Sequence, residues 1–303
     1  MVKLTWPNYY LIKSAKNIMN TPILSIVIPS RNNTLEVIDI FYELKNQSFQ
    51  DFNFIVVDDN SDDCSQYNTI VDDNFFLYEY PGKWKFGLSK KYNYGFKQAI
   101  AKKSKYIYVI QTDMKINSTS LLEELVSYME ENESCGAVGP LVKDGSGSVC
   151  WGNGVKKWRL GHEFNISESF LMRTECLIKQ GLWNEIFIYY GEEMDFFIRL
   201  RKDGYTTHGL SNSSVTHYGG GTTSHFSNQK DYHRPRYAIL MMRRHNSKDS
   251  LYKKVRFFYS ELSEQRAKIL QLIKKFQLFG VLRVLFLVIA GTFVGLVRSK
   301  EVS

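Results

Sequence analysis

Short apolar runs and longer amphipathic stretches alternate over the first half of the chain. Four apolar runs are predicted to be buried strands, because each is too short for a helix and ends at turn-forming or polar residues. They are Leu24–Ile28, Asn53–Val57, Phe75–Tyr80 and Lys105–Gln111. The spacing of apolar residues between them predicts helices over about 33–46, 89–103 and 120–132. Strands that alternate with helices indicate βαβ units in an α/β protein with a mainly parallel sheet.

Two of these helices begin with residues that fit a capping box. Asn33 is followed by Glu36, and Ser120 by Glu123. In a capping box the first side chain bonds a backbone N–H of the opening turn, so these pairs mark the helix starts.

Polar clusters follow three of the predicted strands. They cover 29–32, 58–61 and 112–113. The Asp-Asn-Ser sequence in the second cluster also suits an ordinary turn. Ligands of open α/β sheets bind at the carboxyl ends of the strands, so three clusters at such ends predict a ligand site there.

The second half is less regular and richer in glycine. From about Gly136, the pattern predicts a hairpin turn at Asp144 and Gly145, a helix near Glu193–Lys202 and a glycine-rich loop over 217–221. We expect this half to form the acceptor side of a cleft. Its tryptophans suit either sugar faces or the core, and both readings stay open. They are Trp151, Trp158 and Trp183.

Composition and charge separate the tail from the body. Hydrophobic residues make up 44% of the 303 residues, which excludes wholesale disorder. Residues 228–303 hold 16 Lys/Arg against 5 Asp/Glu, whereas residues 1–227 hold 23 against 26. A helical tail with this excess of basic residues favours an anionic surface, either a membrane or a nucleic acid.

The apolar end of the tail favours the membrane. Val284–Val297 carries no charge but is shorter than the ~20 apolar residues of a membrane span. Lys274, Lys275, Arg298 and Lys300 flank it. We expect a helix that lies in the membrane surface, with packing on its own domain as the alternative.

The start of the chain and the cysteines favour a cytoplasmic protein. The first residues lack an apolar run long enough for a signal peptide. Four widely spaced cysteines without a CxxC pair are typical of free thiols.

An ordered series of motifs resembles family-2 glycosyltransferases. It comprises LSIVIPSRN, FIVVDDNSDD, GLSKKYNYGFKQA, VIQTDM, YYGEEMDFFIRLRKDGY and VTHYGGG. The resemblance implies a GT-A (Rossmann-like) domain over 22–227, with a nucleotide-sugar half (22–115) and an acceptor half (116–227). Residues 1–21 would then be an extension and 228–303 a helical, membrane-surface region. In that tail, YHRPRYAILMMRRH and GTFVGLVRSKE resemble the rhamnosyltransferase-like branch.

The resemblance implies which residues face the nucleotide sugar. Arg31 stands where the family commonly has a tyrosine near the base, and a guanidinium can also stack on a base. Lys90 and Lys91, in the same segment, are expected on a solvated helix face. The implied donor-side residues are Pro29, Ser30, Arg31, Asp58, Asp59, Asn93, Gly95, Gln111 and Thr112.

A metal site is implied at Asp113. Many relatives carry Asp-x-Asp there, and Gln111-Thr112-Asp113 keeps only the last acidic position. One carboxylate, a histidine, two diphosphate oxygens and waters complete an octahedral Mn²⁺ or Mg²⁺ site. The resemblance makes His217 the expected histidine.

A general base is implied within Glu192-Glu193-Met194-Asp195. Glu193 stands at the family's Asp position and is the expected base, which removes the acceptor hydroxyl's proton. Glu192 and Asp195 would orient the loop or hold acceptor hydroxyls. Arg199 is placed to pair with Asp195 one turn later.

The sequence therefore predicts a metal-dependent inverting glycosyltransferase. Its donor would be a UDP-, dTDP- or GDP-linked sugar, and its acceptor a saccharide or lipid-linked glycan, at the inner face of the cell membrane. The rivals are a catalytically inactive nucleotide-sugar-binding subunit and a sugar nucleotidyltransferase. Nucleic-acid binding is not expected, because a long apolar stretch interleaves the basic residues. A homo-oligomer stays an open option.

Overall fold

The computed structural model describes residues 22–82, 87–152, 154, 156–157, 162–188, 190–219, 227–245, 270 and 278–297. Several predictions fall outside this part of the chain. They concern the 1–21 extension, Trp158, the end of the glycine-rich loop, and the basic residues that flank the apolar tail.

The elements follow the order that the sequence predicts. The first half contains β1 (Leu24–Ser30), α1 (Thr34–Lys45), β2 (Phe52–Asp58), a 3₁₀ helix (Ser65–Thr69), β3 (Phe75–Glu79), α2 (Leu88–Ala101), β4 (Tyr106–Val109), β5 (Met114–Ile116), α3 (Leu121–Glu131) and β6 (Cys135–Asp144). The second half contains β7 (Val149–Trp151), β8 (Lys156–Lys157), β9 (Glu163–Phe164), β10 (Phe170–Arg173), α4 (Thr174–Gln180), α5 (Glu192–Lys202), β11 (Thr206–His217), α6 (Ser227–His245) and α7 (Leu278–Val297). Each predicted strand and helix is confirmed, with its ends shifted by one or two residues.

Most strands form one mixed sheet. Within the described residues the order is β3-β2-β1-β4-β10-β6-β11-β5, and β7 pairs with β6. The strands from β3 to β4 are parallel, as the βαβ pattern predicts. By contrast, β10 lies antiparallel to both β4 and β6. The predicted Rossmann-like sheet is confirmed, and a further parallel pair, β6 with β11, lies outside the β3-to-β4 part.

Helices cover both faces of this sheet. Every residue of β2 is buried, as expected for a strand between two helix layers. Phe54 and Val56 pack on the layer with α1 and α3. Ile55 and Val57 pack on the layer with α2, α4, α5 and α6. Alternate side chains of the strand point to opposite faces of the sheet, so β2 contributes to two separate hydrophobic cores.

The predicted capping boxes are wrong in their chemistry. Asn33 and Ser120 do occupy the N-cap positions, but neither side chain caps its helix. Asn33 Nδ2 instead donates to Thr112 Oγ1 at 3.0 Å, and Ser120 Oγ donates to Glu124 Oε1 at 2.6 Å. Both side chains therefore bond another side chain, and neither accepts from the first turn of its helix.

The predicted turn at Asp144 and Gly145 is confirmed. Strands β6 and β7 pair antiparallel across it. Asp144 Oδ1 accepts from the backbone N–H groups of Ser146 (2.9 Å) and Ser148 (3.0 Å), which fixes the turn. The cysteines are free thiols, as predicted.

The tail is helical, as predicted, and packs on the body. Leu240 and Met241 of α6 belong to the core on the α2 side of the sheet. Helix α7 lies against α6 so closely that a Cβ on Gly291 would stand 2.1 Å from the Tyr232 carbonyl oxygen. Packing on its own domain, the alternative left open by the sequence, therefore holds for one face of α7. Among the described helices, none has the length and apolarity that crossing a membrane requires.

Candidate active site

The three polar clusters at the strand ends meet at one edge of the sheet. Ser30 pairs in register with Asp58 across β1 and β2. The Asp59 N–H donates to the Ser30 carbonyl at 2.8 Å, and Arg31 Nη1 donates to the Asp59 carbonyl at 2.7 Å. The Asn33–Thr112 hydrogen bond joins the third cluster to the first. The predicted donor-side edge is therefore one connected surface.

Asp58 holds its own turn. Its carboxylate accepts from Ser61 N–H at 2.9 Å and from Ser61 Oγ at 2.6 Å. The turn interpretation of this cluster is thus correct for the Asp58 side chain. A contact between Asp58 and the nucleotide stays a prediction.

Asp59 forms a buried ion pair. Lys91 Nζ lies 3.0 Å from Asp59 Oδ2, and Lys91 is only 5% exposed. The expectation of a solvated Lys91 is wrong, because the Asp59 carboxylate draws the ammonium into the sheet edge. Burial raises the pKa of Asp59, although the Lys91 charge works against that rise. Asp59 Oδ1 is buried without a hydrogen-bond partner among the described residues, and its contact with a donor stays a prediction.

Asn93 and Gly95 seat α2 on its neighbours. Asn93 Nδ2 donates to the Trp183 carbonyl at 2.8 Å, and the Trp183 N–H donates back to Asn93 Oδ1 at 3.0 Å. Gly95 faces β1, where a Cβ would lie 2.3 Å from Val27 Cγ1. Trp183 is itself buried against Tyr92, so the core reading holds for this tryptophan. Direct contacts of Asn93 and Gly95 with a donor stay predictions.

Asp113 and His217 lie side by side. The Tyr218 N–H donates to the Asp113 carbonyl at 3.0 Å, which holds the two chain segments together. His217 Nε2 stands 3.2 Å from Asp113 Oδ2, and both side chains are about one-fifth exposed. On the opposite side of the ring, His217 Nδ1 stands 2.9 Å from Glu168 Oε2. Hydrogen bonds to Asp113 and Glu168 raise the pKa of His217 to about 10.

This pair fits a divalent cation that is completed by substrate. No group of three or more His, Cys, Asp or Glu side chains within the described ranges forms a ready metal cluster. Glu168 approaches the ring nitrogen that faces away from Asp113, so it is not a third ligand in this arrangement. Mg²⁺-type sites commonly use one or two protein groups, substrate phosphates and waters. The Asp113 carboxylate and the His217 imidazole, which are adjacent and partly exposed, can serve as these two protein ligands.

Glu193 has the surroundings of a general base. Ser167 Oγ donates a hydrogen bond to Glu193 Oε1. Burial raises the pKa of Glu193 to about 7, with the Ser167 bond lowering it and the Glu168 charge raising it. A carboxylate that titrates near neutral pH is well matched to proton removal from a hydroxyl.

Glu192 is more deeply buried than Glu193. Burial, followed by the charge of Glu193, raises the pKa of Glu192 well above its ordinary value. Glu192 Oε2 has no hydrogen-bond partner within the described residues. Two adjacent carboxyl groups with separate environments can take separate roles.

The base candidate and the metal candidate border the same buried phenol. Burial raises the pKa of Tyr92, and the charges of Glu193, Glu192 and Asp113 raise it further, in that order. The Tyr92 hydroxyl donates to the Ile110 carbonyl at 3.1 Å. Ser167, which bonds Glu193, and Glu168, which bonds His217, are consecutive residues, so the base candidate and the metal candidate lie beside the same short loop.

Asp195 points away from the other two acids. It is fully buried and accepts from Arg199 Nε at 2.9 Å, as predicted for the i,i+4 pair. Arg244 Nε and His245 Nε2, from the last turn of α6, each lie 2.8 Å from its other oxygen. Burial acts to raise the pKa of Asp195, but these partners outweigh it and hold the pKa below its ordinary value. The side chain thus fits the orienting role that the sequence allowed.

Three residues of the site were not predicted. Ser167 and Glu168 belong to a loop without a recognisable motif, and the left-handed backbone of Glu168 (φ 68°) is visible only in the structure. Lys91 lies within one of the motifs of the resemblance, but the residue pattern of its helix does not predict its pairing with Asp59.

Comparison with known proteins gives one family and one fold. Residues 25–189 match the family model described as "Glycosyl transferase family 2". Comparison with curated proteins gives no match. The chain is similar in fold to the mannosyltransferase PcManGT from Pyrobaculum calidifontis, solved with GDP-Man and Mn²⁺. The TM-score is 0.56 at 11% identity, over 97% of this chain and 92% of that one.

Two further solved structures share the fold. S. aureus TarS 1-349 with UDP-GlcNAc gives a TM-score of 0.56 at 18% identity, over 72% of this chain and 66% of that one. The second is glucosyl-3-phosphoglycerate synthase from Mycobacterium tuberculosis, solved with Mn²⁺, UDP and glucosyl-3-phosphoglycerate. Its TM-score is 0.50 at 15% identity, over 71% of this chain and 78% of that one. The chain spans 43% of a longer S. aureus TarS structure.

Proposed function

Because the chain belongs to glycosyl transferase family 2, we propose that it is a metal-dependent inverting glycosyltransferase. It moves a sugar from a nucleotide-diphosphate donor to a saccharide or a lipid-linked glycan. The observation that carries this proposal is the convergence of Glu193 with the Asp113–His217 pair at the carboxyl ends of the parallel strands. Ligands of such sheets bind at that edge.

The donor binds along the edge formed by 29–31, 58–59 and 111–112. The buried, unpartnered Asp59 Oδ1 accepts from a base N–H or a ribose hydroxyl. Arg31 is half-buried at the same edge, where it donates to the Asp59 carbonyl, and its guanidinium stacks on the base in this proposal. The donor is UDP-, dTDP- or GDP-linked, and TarS and PcManGT were solved with UDP-GlcNAc and GDP-Man. The tail resemblance favours a hexose or deoxyhexose of the rhamnosyl type.

Asp113 and His217 would hold the divalent cation. Mn²⁺ or Mg²⁺ bound there would supply positive charge against the leaving diphosphate. The distance of 3.2 Å between Asp113 Oδ2 and His217 Nε2 supports a shared ligand. PcManGT and the M. tuberculosis synthase were both solved with Mn²⁺.

Glu193 removes the proton of the acceptor hydroxyl as that oxygen attacks the anomeric carbon. Attack from the face opposite the leaving diphosphate inverts the configuration. Ser167 orients the Glu193 carboxylate through its hydrogen bond. Glu192, whose buried Oε2 has no hydrogen-bond partner among the described residues, holds an acceptor hydroxyl in this proposal.

The same observations weigh against both rival functions. A nucleotidyltransferase has no use for a base at the start of α5. An inactive binding subunit has no need for a carboxylate whose pKa lies near 7 beside an adjacent carboxylate–imidazole pair. The active transferase explains all three features.

The second face of α7 attaches the enzyme to the cytoplasmic side of the membrane. Four large apolar side chains on this face are between 56% and 68% exposed, at a spacing that places them along one side of the helix. They are Leu282, Phe286, Ile289 and Phe293. Together with the basic excess of the tail, such a stripe suits an anionic bilayer surface, where lipid-linked acceptors reside.

A transfer assay tests the proposed reaction. The purified chain is incubated with UDP-, dTDP- and GDP-sugars, Mn²⁺ and a panel of saccharide and lipid-linked acceptors. We expect transfer from one nucleotide class, and its loss in Asp113→Ala but not in Asp39→Ala, which removes an exposed carboxylate from α1. Undiminished transfer by Asp113→Ala would overturn the metal assignment.

A further inference from the structure

The two nitrogens of the His217 ring face two different carboxylates. Nε2 stands 3.2 Å from Asp113 Oδ2, and Nδ1 stands 2.9 Å from Glu168 Oε2. A cation shared by Asp113 and the ring must therefore bind through Nε2, where it would replace the proton that Nε2 donates to Asp113 and release it to solvent. Glu168 occupies the other nitrogen and competes with neither ligand.

The loop that carries Glu168 is fixed on both sides. Ser167 bonds Glu193, while Ser169 Oγ shares a hydrogen bond of 2.5 Å with the Tyr108 hydroxyl. Both serines are buried. The Ser169 N–H closes a tight turn on the Ser167 carbonyl at 2.7 Å.

Glu168 itself has an unfavourable backbone. Its φ of 68° lies in the left-handed region, which for a non-glycine residue persists only where surrounding contacts enforce it. The hydrogen bond from the Ser169 N–H to the Ser167 carbonyl closes the turn across Glu168. In this conformation the Glu168 carboxylate lies beside the His217 ring.

We propose that Glu168 is a positioning residue of the metal site, which holds the Nδ1–H of His217 so that Nε2 is the nitrogen presented to the cation. Imidazole ligands bind metals through one nitrogen while the other donates to a carboxylate or carbonyl, which fixes the tautomer and the ring orientation. The inference rests on the proposed metal-dependent function. It also means that one loop orients both active groups, Glu193 through Ser167 and His217 through Glu168.

The test measures Mn²⁺ affinity without turnover. Free Mn²⁺ is followed by electron paramagnetic resonance while it is titrated into the full chain with UDP, dTDP or GDP. We expect Glu168→Ala to weaken Mn²⁺ binding by about 10–100-fold. Glu168→Gln should lose less, because its amide oxygen still accepts from Nδ1–H. The control Glu130→Ala removes a carboxylate of α3 that pairs with Lys105. This variant should bind Mn²⁺ as the wild type does.

A second readout separates positioning from a purely structural role. Nitrogen-15 chemical shifts of the Mg²⁺-loaded protein should show His217 protonated at Nδ1 in the wild type and as a mixture of tautomers in Glu168→Ala. Unchanged Mn²⁺ affinity and an unchanged tautomer in Glu168→Ala, with wild-type binding intact, would overturn this inference alone. Absence of Mn²⁺ binding by the wild type with every nucleotide would overturn the metal-dependent function and this inference with it.

Discussion

His245 Nε2 donates to Asp195 Oδ1 at 2.8 Å, and this bond joins the end of α6 to the helix that begins with Glu192 and Glu193. Arg244 adds a second bond to the same oxygen. At the other end of the contact, Tyr237 covers Gly191, where a Cβ would lie 2.0 Å from the ring. The tail helix therefore fixes the start of α5 and with it the position of the base.

Asp195→Asn should destabilise the protein strongly. The substitution leaves the Arg199 and Arg244 cations without their carboxylate, and breaking a buried pair typically costs about 3–5 kcal/mol. Urea unfolding at neutral pH measures the loss, with Glu175→Gln as an exposed control. Because the folded pKa of Asp195 is lowered, its contribution is present above pH ~3.8 and disappears as the pH falls through the folded pKa. Full stability with a raised acceptor KM would instead make Asp195 an acceptor-binding residue.

The rate should depend on pH through Glu193. Its pKa is about 7, and a base must be deprotonated to act, so kcat/KM at saturating Mn²⁺ should rise through pH 7 to a plateau. Glu193→Gln should lower kcat by about 10²–10⁴-fold. Ser167→Ala should move the rising limb to higher pH, since the Ser167 hydrogen bond lowers the pKa. A wild-type profile that is flat across neutral pH would contradict this assignment.

Gly95→Ala should destabilise the nucleotide half. The new methyl group would meet Val27 Cγ1 at 2.3 Å and Val57 Cγ2 at 3.1 Å, and such overpacking typically costs about 1–3 kcal/mol. Gly145→Ala is the control, because its nearest contact is an ordinary 3.5 Å from Tyr218. Thermal unfolding of the two variants provides the comparison. Equal melting temperatures would show that α2 is not held this closely to the sheet.

Removing the exposed apolar face of α7 should weaken membrane binding. The double variant Phe286→Ser, Phe293→Ser should sediment less with vesicles that contain anionic lipid, because burial of each ring contributes about 1.5–3 kcal/mol. Leu35→Ser is the control, as Leu35 is 61% exposed on α1. Unchanged sedimentation would contradict membrane attachment through this face. If the wild type is a dimer and the double variant is a monomer, the exposed face of α7 binds a second copy of the chain instead of a membrane.

Local patterns predicted most of the fold. The runs that became β1, β2 and β4 are predominantly apolar on both of their alternating faces, as strands between two helix layers require. The antiparallel β10 was not predicted, because its place between β4 and β6 depends on contacts between distant segments. The same limit applied to Asn33, whose side chain bonds the distant Thr112, whereas Ser120 bonds Glu124 only four residues along the chain.

The candidate site divides in the same way. Asp113, His217 and Glu193 stand within quoted motifs, so the resemblance located them. The buried pairing of Lys91 with Asp59 and the contact of Glu168 with His217 depend on chain segments brought together only by folding. Asp195 shows a third case, because its motif was visible while its cationic partners in α6 were not.

The most direct test of the central claim is calorimetric titration of the chain with nucleotides and nucleotide sugars, with and without Mn²⁺. We expect one nucleotide class to bind in a Mn²⁺-dependent manner, and Asp113→Ala to lose the dependence on metal. No binding by any member of the panel to a demonstrably folded protein would contradict the nucleotide-sugar function proposed for this site.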